Sequence, residues 1–201
     1  MIAQILLISM QFVDTVMAGH VSAGDLAALG IATALFHPLL LLMVGVLMAV
    51  TPMVAQLKGS QKDDRISKVV ADALQLSLVF ALPLILLLHL LEPLMEFIGY
   101  PEEVSRIGDG YLQAVAWGVP AMLAYDVFRH FNEGVALTRP NMYFHIVGLM
   151  LNILGNYTLM FGHFGFPAMG AVGAGWSTAP VSYTHLRAQE TPEHLVCRRL
   201  R

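Results

Sequence analysis

Three side chains stand where they could do chemistry in an otherwise apolar sequence. Asp14 lies in "LISMQFVDTVMAGH", an uncharged run, and the first Lys or Arg of the whole chain is Lys58. An Asp at the centre of a membrane helix costs about 2.5–3.5 kcal/mol on insertion scales, so it normally faces protein or a wet cavity. Held there without a cationic partner, a carboxylate can bind H⁺, Na⁺ or a cationic solute and release one as another arrives. The plainer reading places Asp14 near the outer interface, where it caps or solvates the turn holding Gly19 and Ser22. Asn152 and Asn156 are the other two, four apart in "GLMLNILGNYTLMFG" and hence on one helix face. Their amides either line the same cavity as Asp14 or hydrogen-bond across helices, which gains about 0.6 kcal/mol on average.

The elements that must position these groups are transmembrane helices. Of 201 residues, 57% are apolar and 12% charged, and the mean hydropathy is +0.67. Soluble domains carry about 25% charged residues. The composition predicts an all-α polytopic membrane protein. A net charge of −3 with no basic patch argues against nucleic acid as a partner. The lone Cys197 forms no disulfide within the chain. The first apolar stretch lacks a basic n-region and is read as a retained helix.

A span needs about 20 mostly apolar residues. Candidates run from 1 to 18, from Leu26 to Leu57 (a span plus part of a connection), from Ala73 to Leu91, from Gly110 to Phe128 and from Asn141 to Phe161. A sixth begins near Gly170 and is cut short. The expected fold is therefore about five transmembrane helices plus a truncated sixth. The charged loop Lys58–Lys68 and the stretch holding Arg129 and Arg139 carry six basic residues on one side. The acidic connection Glu92–Asp109 holds Arg106 alone on the other. Basic loops favour the cytoplasm, so the N-terminus is expected inside and the Asp14 helix is expected to run outward.

From Pro180 the sequence turns abruptly polar, with four of the eleven basic residues. "SYTHLRAQETPEHLVCR" resembles translated adapter sequence at the ends of assembled environmental reads. Residues 1–179 are read as the folded unit and 180–201 as a non-native tail.

Other candidates carry less. Asp126 and Arg129, three apart, read as an interfacial pair, and Glu133 and Arg139 share a cytoplasmic connection as a gate or structural pair. His37, His89 and His145 are isolated, without metal-ligand spacing. No P-loop, G-x-S-x-G or H-E-x-x-H is present. Twelve scattered methionines read as packing residues.

Several stretches together resemble the multidrug and toxic compound extrusion (MATE) family in its bacterial NorM-like branch. They are "FVDTVMAGHVSAGDLAALGIA", "GVLMAVTPMVAQLKGSQ", "FNEGVALTRPNM" and "LNILGNYTLMFG" followed by "GAVGAGWSTA". The resemblance runs in order from Met1 to about Thr178. It implies one incomplete lobe of a twelve-helix, two-lobed inner-membrane antiporter that exports organic cations or drugs in exchange for Na⁺ or H⁺, with no other cofactor. The family's acid in the first helix matches Asp14 and its amide pair in the fifth matches Asn152 and Asn156, which implies a cation-coupling or substrate cavity. The second lobe is not in this chain, and a fragment is expected. A lipid-linked precursor flippase would need several intramembrane Arg or Lys, and none stands inside the expected spans. An intramembrane enzyme would need paired groups at one depth, and Asp14 is the one deep acid expected. A non-transporting scaffold is the remaining alternative.

Overall fold

The computed structural model describes residues 2–137 and 139–179. It contains α1 (Ile2–Val21), α2 (Ala23–Leu47), α3 (Val50–Gly59), α4 (Asp63–Ile98), α5 (Glu102–Gly134) and α6 (Arg139–Leu159). A further helix, α7, runs over 171–179. Among the described residues there is no strand. The expected polytopic helical fold, with five long passes and the start of a sixth, is what the chain forms.

Helices outrun the apolar stretches at both ends. The expected loop Lys58–Lys68 shrinks to residues 60–62, because Asp63 and Asp64 open α4 in its first turn, where acids complement the helix dipole. The expected connection Glu92–Asp109 shrinks to 99–101: Gly99 ends α4 in the left-handed region at φ +87°, and Glu102 and Glu103 open α5. The stretch Leu26–Leu57 breaks where Pro52 lacks the N–H that would bond the Met48 carbonyl and where its ring would crowd that carbonyl. The Thr51 amide bonds the Met48 oxygen instead, at 3.2 Å, and α3 sets off as a separate helix.

α5 is the centre of the bundle and packs against α2, α3 and α4, while α1 packs against α2 and α6. α7 lies against α5 so closely that a Cβ added at Gly175 would stand 2.8 Å from the Tyr111 carbonyl oxygen. α4 shows the two-faced logic most clearly. Ala81, Leu84, Leu88, Leu91 and Met95 are buried, at alternating steps of three and four. Leu78, Leu82, Leu86 and Leu90, four apart, form an outer stripe more than half exposed. Contiguous apolar surface of this kind suits lipid, not water. Two stretches, Ala23–Gly59 and Asp63–Met95, are by themselves long and apolar enough to cross a membrane. α5 is not among them: it is the most buried helix and carries polar side chains such as Asp109, Gln113, Asp126 and His130.

One carboxylate ties the turn between α1 and α2 to the start of α7. Ser22 caps α2 by accepting the Asp25 amide at 2.9 Å, and its hydroxyl donates to Asp25 Oδ2 at 2.6 Å. The other carboxylate oxygen accepts the Ala171 amide at 2.6 Å, so Asp25 also caps α7 from 146 residues away. Asp25→Ala should cost about 1.5–3 kcal/mol, the range for a hydrogen bond to a charged group. Ser22→Ala should cost about 1 kcal/mol. Thermal unfolding in detergent, followed by tryptophan fluorescence, checks this: Asp25→Ala lowers Tm more than Ser22→Ala, and equal Tm values would refute the dual cap.

Candidate functional site

The three residues singled out first come together. α1 brings Asp14 against α6, where Asn156 Nδ2 donates to Asp14 Oδ1 at 2.5 Å. Asn152, one turn back on the same face, holds its oxygen 3.5 Å from that nitrogen. Both amides are fully buried, whereas Asp14 is partly exposed. Asn152 Nδ2 makes no hydrogen bond of normal geometry, yet Asn152 sits close enough to interact with the Asp14 carboxylate. Among the described residues no Lys or Arg forms an ion pair with Asp14. The site is thus a carboxylate with no ion-pair partner among the described residues, facing the N–H of a buried amide.

Two more groups belong to this site, and sequence reasoning missed both. Ser177, on α7, donates its hydroxyl to Asn156 Oδ1, which fixes the amide with its NH₂ toward Asp14. Tyr111, on α5, is buried within electrostatic reach of the Asp14 carboxylate. Ser177 stands next to the polar tail, where the apolar pattern fails. Tyr111 looked like one more aromatic in an apolar run. Neither had a spacing signal.

α5 also holds acids that the apolar pattern placed at its margins. Asp109, expected in a connection, is buried in the helix and accepts from Gln113 Nε2 at 2.6 Å. Asp126 forms the expected pair with Arg129, at 3.1 Å. Asp14 is therefore not the one deep acid, but these two have partners on their own helix.

Glu133 is a helical residue of α5, not part of a connection. It accepts from His130 Nδ1 at 3.3 Å, while Arg129 Nη2 donates to His130 Nε2 at 3.3 Å. Thr51 of α3 donates to the His130 carbonyl at 3.1 Å. This network fastens α3 to α5. Arg139 opens α6, and its side chain lies outside the described residues, as does the tail from residue 180.

The MatE family model matches residues 1–158. The chain belongs to the MatE family. It is 42% identical over 181 residues to multidrug resistance protein NorM of Photobacterium profundum, covering 90% of this chain and 40% of that protein. It is 40% identical over 186 residues to NorM of Vibrio cholerae, covering 92% and 41%. Multidrug resistance protein MdtK of Klebsiella pneumoniae is 40% identical over 190 residues, covering 90% and 40%. The chain thus spans about 40% of the length of these curated relatives.

Solved structures agree on the fold. A MOP superfamily transporter from Pyrococcus furiosus superposes with a TM-score of 0.82 at 19% identity, covering 92% of this chain and 40% of that one. A eukaryotic MATE transporter gives 0.85 at 16% identity, covering 92% and 41%. The chain therefore has the fold of one lobe of an integral membrane MATE transporter, and the intramembrane-enzyme reading falls away with that membership.

The site's geometry depends on how closely α7 approaches α6. A Cβ added at Gly155 would lie 2.7 Å from the Ser177 Cβ, closer than real Cβ contacts come. Gly155→Ala should therefore push α7 outward, break the Ser177–Asn156 bond and cost about 1–3 kcal/mol through overpacking. Trp176, beside Ser177, reports the displacement in a fluorescence emission shift and a lower Tm. An unchanged spectrum and Tm would show that α7 does not seat this closely.

Proposed function

We propose that this chain supplies the cation-coupling lobe of a multidrug efflux antiporter, with Asp14 as the exchangeable cation site. The observation that carries the reading is the linked cluster of Asp14, Asn152, Asn156 and Ser177 from three helices, with Asp14 partly exposed. The resemblance to NorM proteins at about 40% identity supports drug export as the activity. On this reading H⁺ or Na⁺ enters from outside and neutralises Asp14. A cationic drug is then displaced as the lobe rocks against a second lobe. One charge crossing 100 mV gains about 2.3 kcal/mol, enough to drive about a fiftyfold gradient. The loop charges support a cytoplasmic N-terminus in the inner membrane, with Asp14 on an outward-running helix. Glu133 serves α3–α5 packing at the cytoplasmic end, with Arg139 beside the same connection. A flippase gains nothing here, since Arg129 is paired with Asp126 near a helix end.

In a transporter built from this lobe, Asp14→Asn should abolish ion-driven ethidium efflux from a drug-sensitive bacterial host while membrane levels stay normal. Drug resistance undiminished by that change would sink the coupling role. Asn156→Ala should reduce efflux more than Asn152→Ala, because Asn156 alone bonds both Asp14 and Ser177. If both changes lower only the yield of folded protein, the amides are helix contacts and nothing more.

A further inference from the structure

A cleft of about 760 Å³ opens between α3 and α4, far along the chain from Asp14, and is lined by Met53, Gln56, Leu57, Ser60, Lys62, Arg65, Lys68, Val69 and Asp72. The two helices diverge from the tight turn 60–62, and their inner faces are fastened down by buried Val54, Ile66 and Val70. Its chemistry is divided. Met53, Leu57 and Val69 give it an apolar lining, with Met53 half exposed, and three cations stand against one carboxylate among its lining residues. The neighbouring Lys58 is already neutralised by Asp63 at 2.9 Å, but Lys62, Arg65 and Lys68 form no ion pair among the described residues. Beyond the cleft α4 continues into its exposed apolar surface at Leu76, Leu78 and Val79.

We infer that this cleft binds an anionic phospholipid, with the headgroup phosphate on Lys62, Arg65 and Lys68 and the first part of an acyl chain on Met53, Leu57 and Val69. Charge complementarity selects an anion, and basic clefts between membrane helices on the cytoplasmic side suit lipid phosphates. The apolar lining selects a lipid over free phosphate, which would leave Met53 and Leu57 facing water. Continuity with the exposed leucines of α4 gives the acyl chain its path along the helix. The site is independent of the transport reading and stands or falls without it.

Native mass spectrometry of the purified, delipidated chain tests this, with dioleoyl-phosphatidylglycerol and dioleoyl-phosphatidylcholine titrated in parallel. Phosphatidylglycerol should bind at least tenfold more tightly, since a cation near an anionic lipid surface contributes about fivefold. The combined Lys62→Gln, Arg65→Gln and Lys68→Gln variant should bring the two lipids level. Asp72→Asn, which removes the one opposing charge, should widen the preference. All four are surface positions, so folding is not at stake. Equal binding of the two lipids, or a preference that survives the triple variant, overturns the site. Displacement of phosphatidylglycerol by millimolar inorganic phosphate, or by an acidic poly-glutamate peptide at micromolar concentration, overturns the lipid as its occupant.

Discussion

The Asn156 side chain is bonded at both ends, and much of the bundle depends on that. Its NH₂ donates to Asp14 on α1, and its oxygen accepts from Ser177 on α7, so one amide ties together the first, fifth and last passes of the described chain. In a dry interior a buried polar group left without a partner costs about 1–3 kcal/mol, whereas a satisfied one gains less than that. Each of these bonds is therefore held in place more by the cost of losing it than by its own strength. Gly155 makes the geometry available by letting α7 approach within reach of α6.

The two ends of the bundle are secured by different chemistry. At one end Ser22 caps α2 and donates its hydroxyl to Asp25, whose carboxylate caps α7, joining residues 146 apart. At the opposite end Thr51, Arg129, His130 and Glu133 form a chain of hydrogen bonds between α3 and α5. Between those ends the packing is largely apolar: Leu84, Leu88, Leu112 and Leu123 are almost wholly buried. Polar groups concentrate at the ends and in the Asp14 cluster because an apolar solvent leaves backbone and side chains no other place to find partners.

Much of this was legible in the residues. Composition implied a helical membrane bundle, and runs of apolar residues located every long pass. Asn152 and Asn156 at a spacing of four announced a polar helix face before any fold was known. Boundaries were less legible, since charged residues such as Asp63 and Glu102 can sit at a helix start as well as in a loop, and hydropathy does not separate the two. The break at Pro52 was hidden for a related reason: proline inside a membrane helix bends it in some places and ends it in others. Pro38, Pro83 and Pro120 all stay inside helices here. Ser177 and Asp109 were missed because a single polar residue at the margin of an apolar run gives no periodicity to read. Their roles come from contacts between segments far apart in the chain.

Partial exposure of Asp14 is the feature that joins structure to the proposed exchange. A carboxylate fully enclosed by Asn152, Asn156 and Ser177 would hold its cation but give it no way out. One fully in water would bind no cation with useful preference, since the solvent would compete on equal terms. Buried amides beside a partly exposed carboxylate provide the middle case. Neutral amides suit this better than a lysine or arginine would, because a permanent counter-charge would occupy the carboxylate and remove its reason to take up an ion. The chain has no Lys or Arg before Lys58, so the whole of α1 and α2 surrounding Asp14 is kept free of such a competitor.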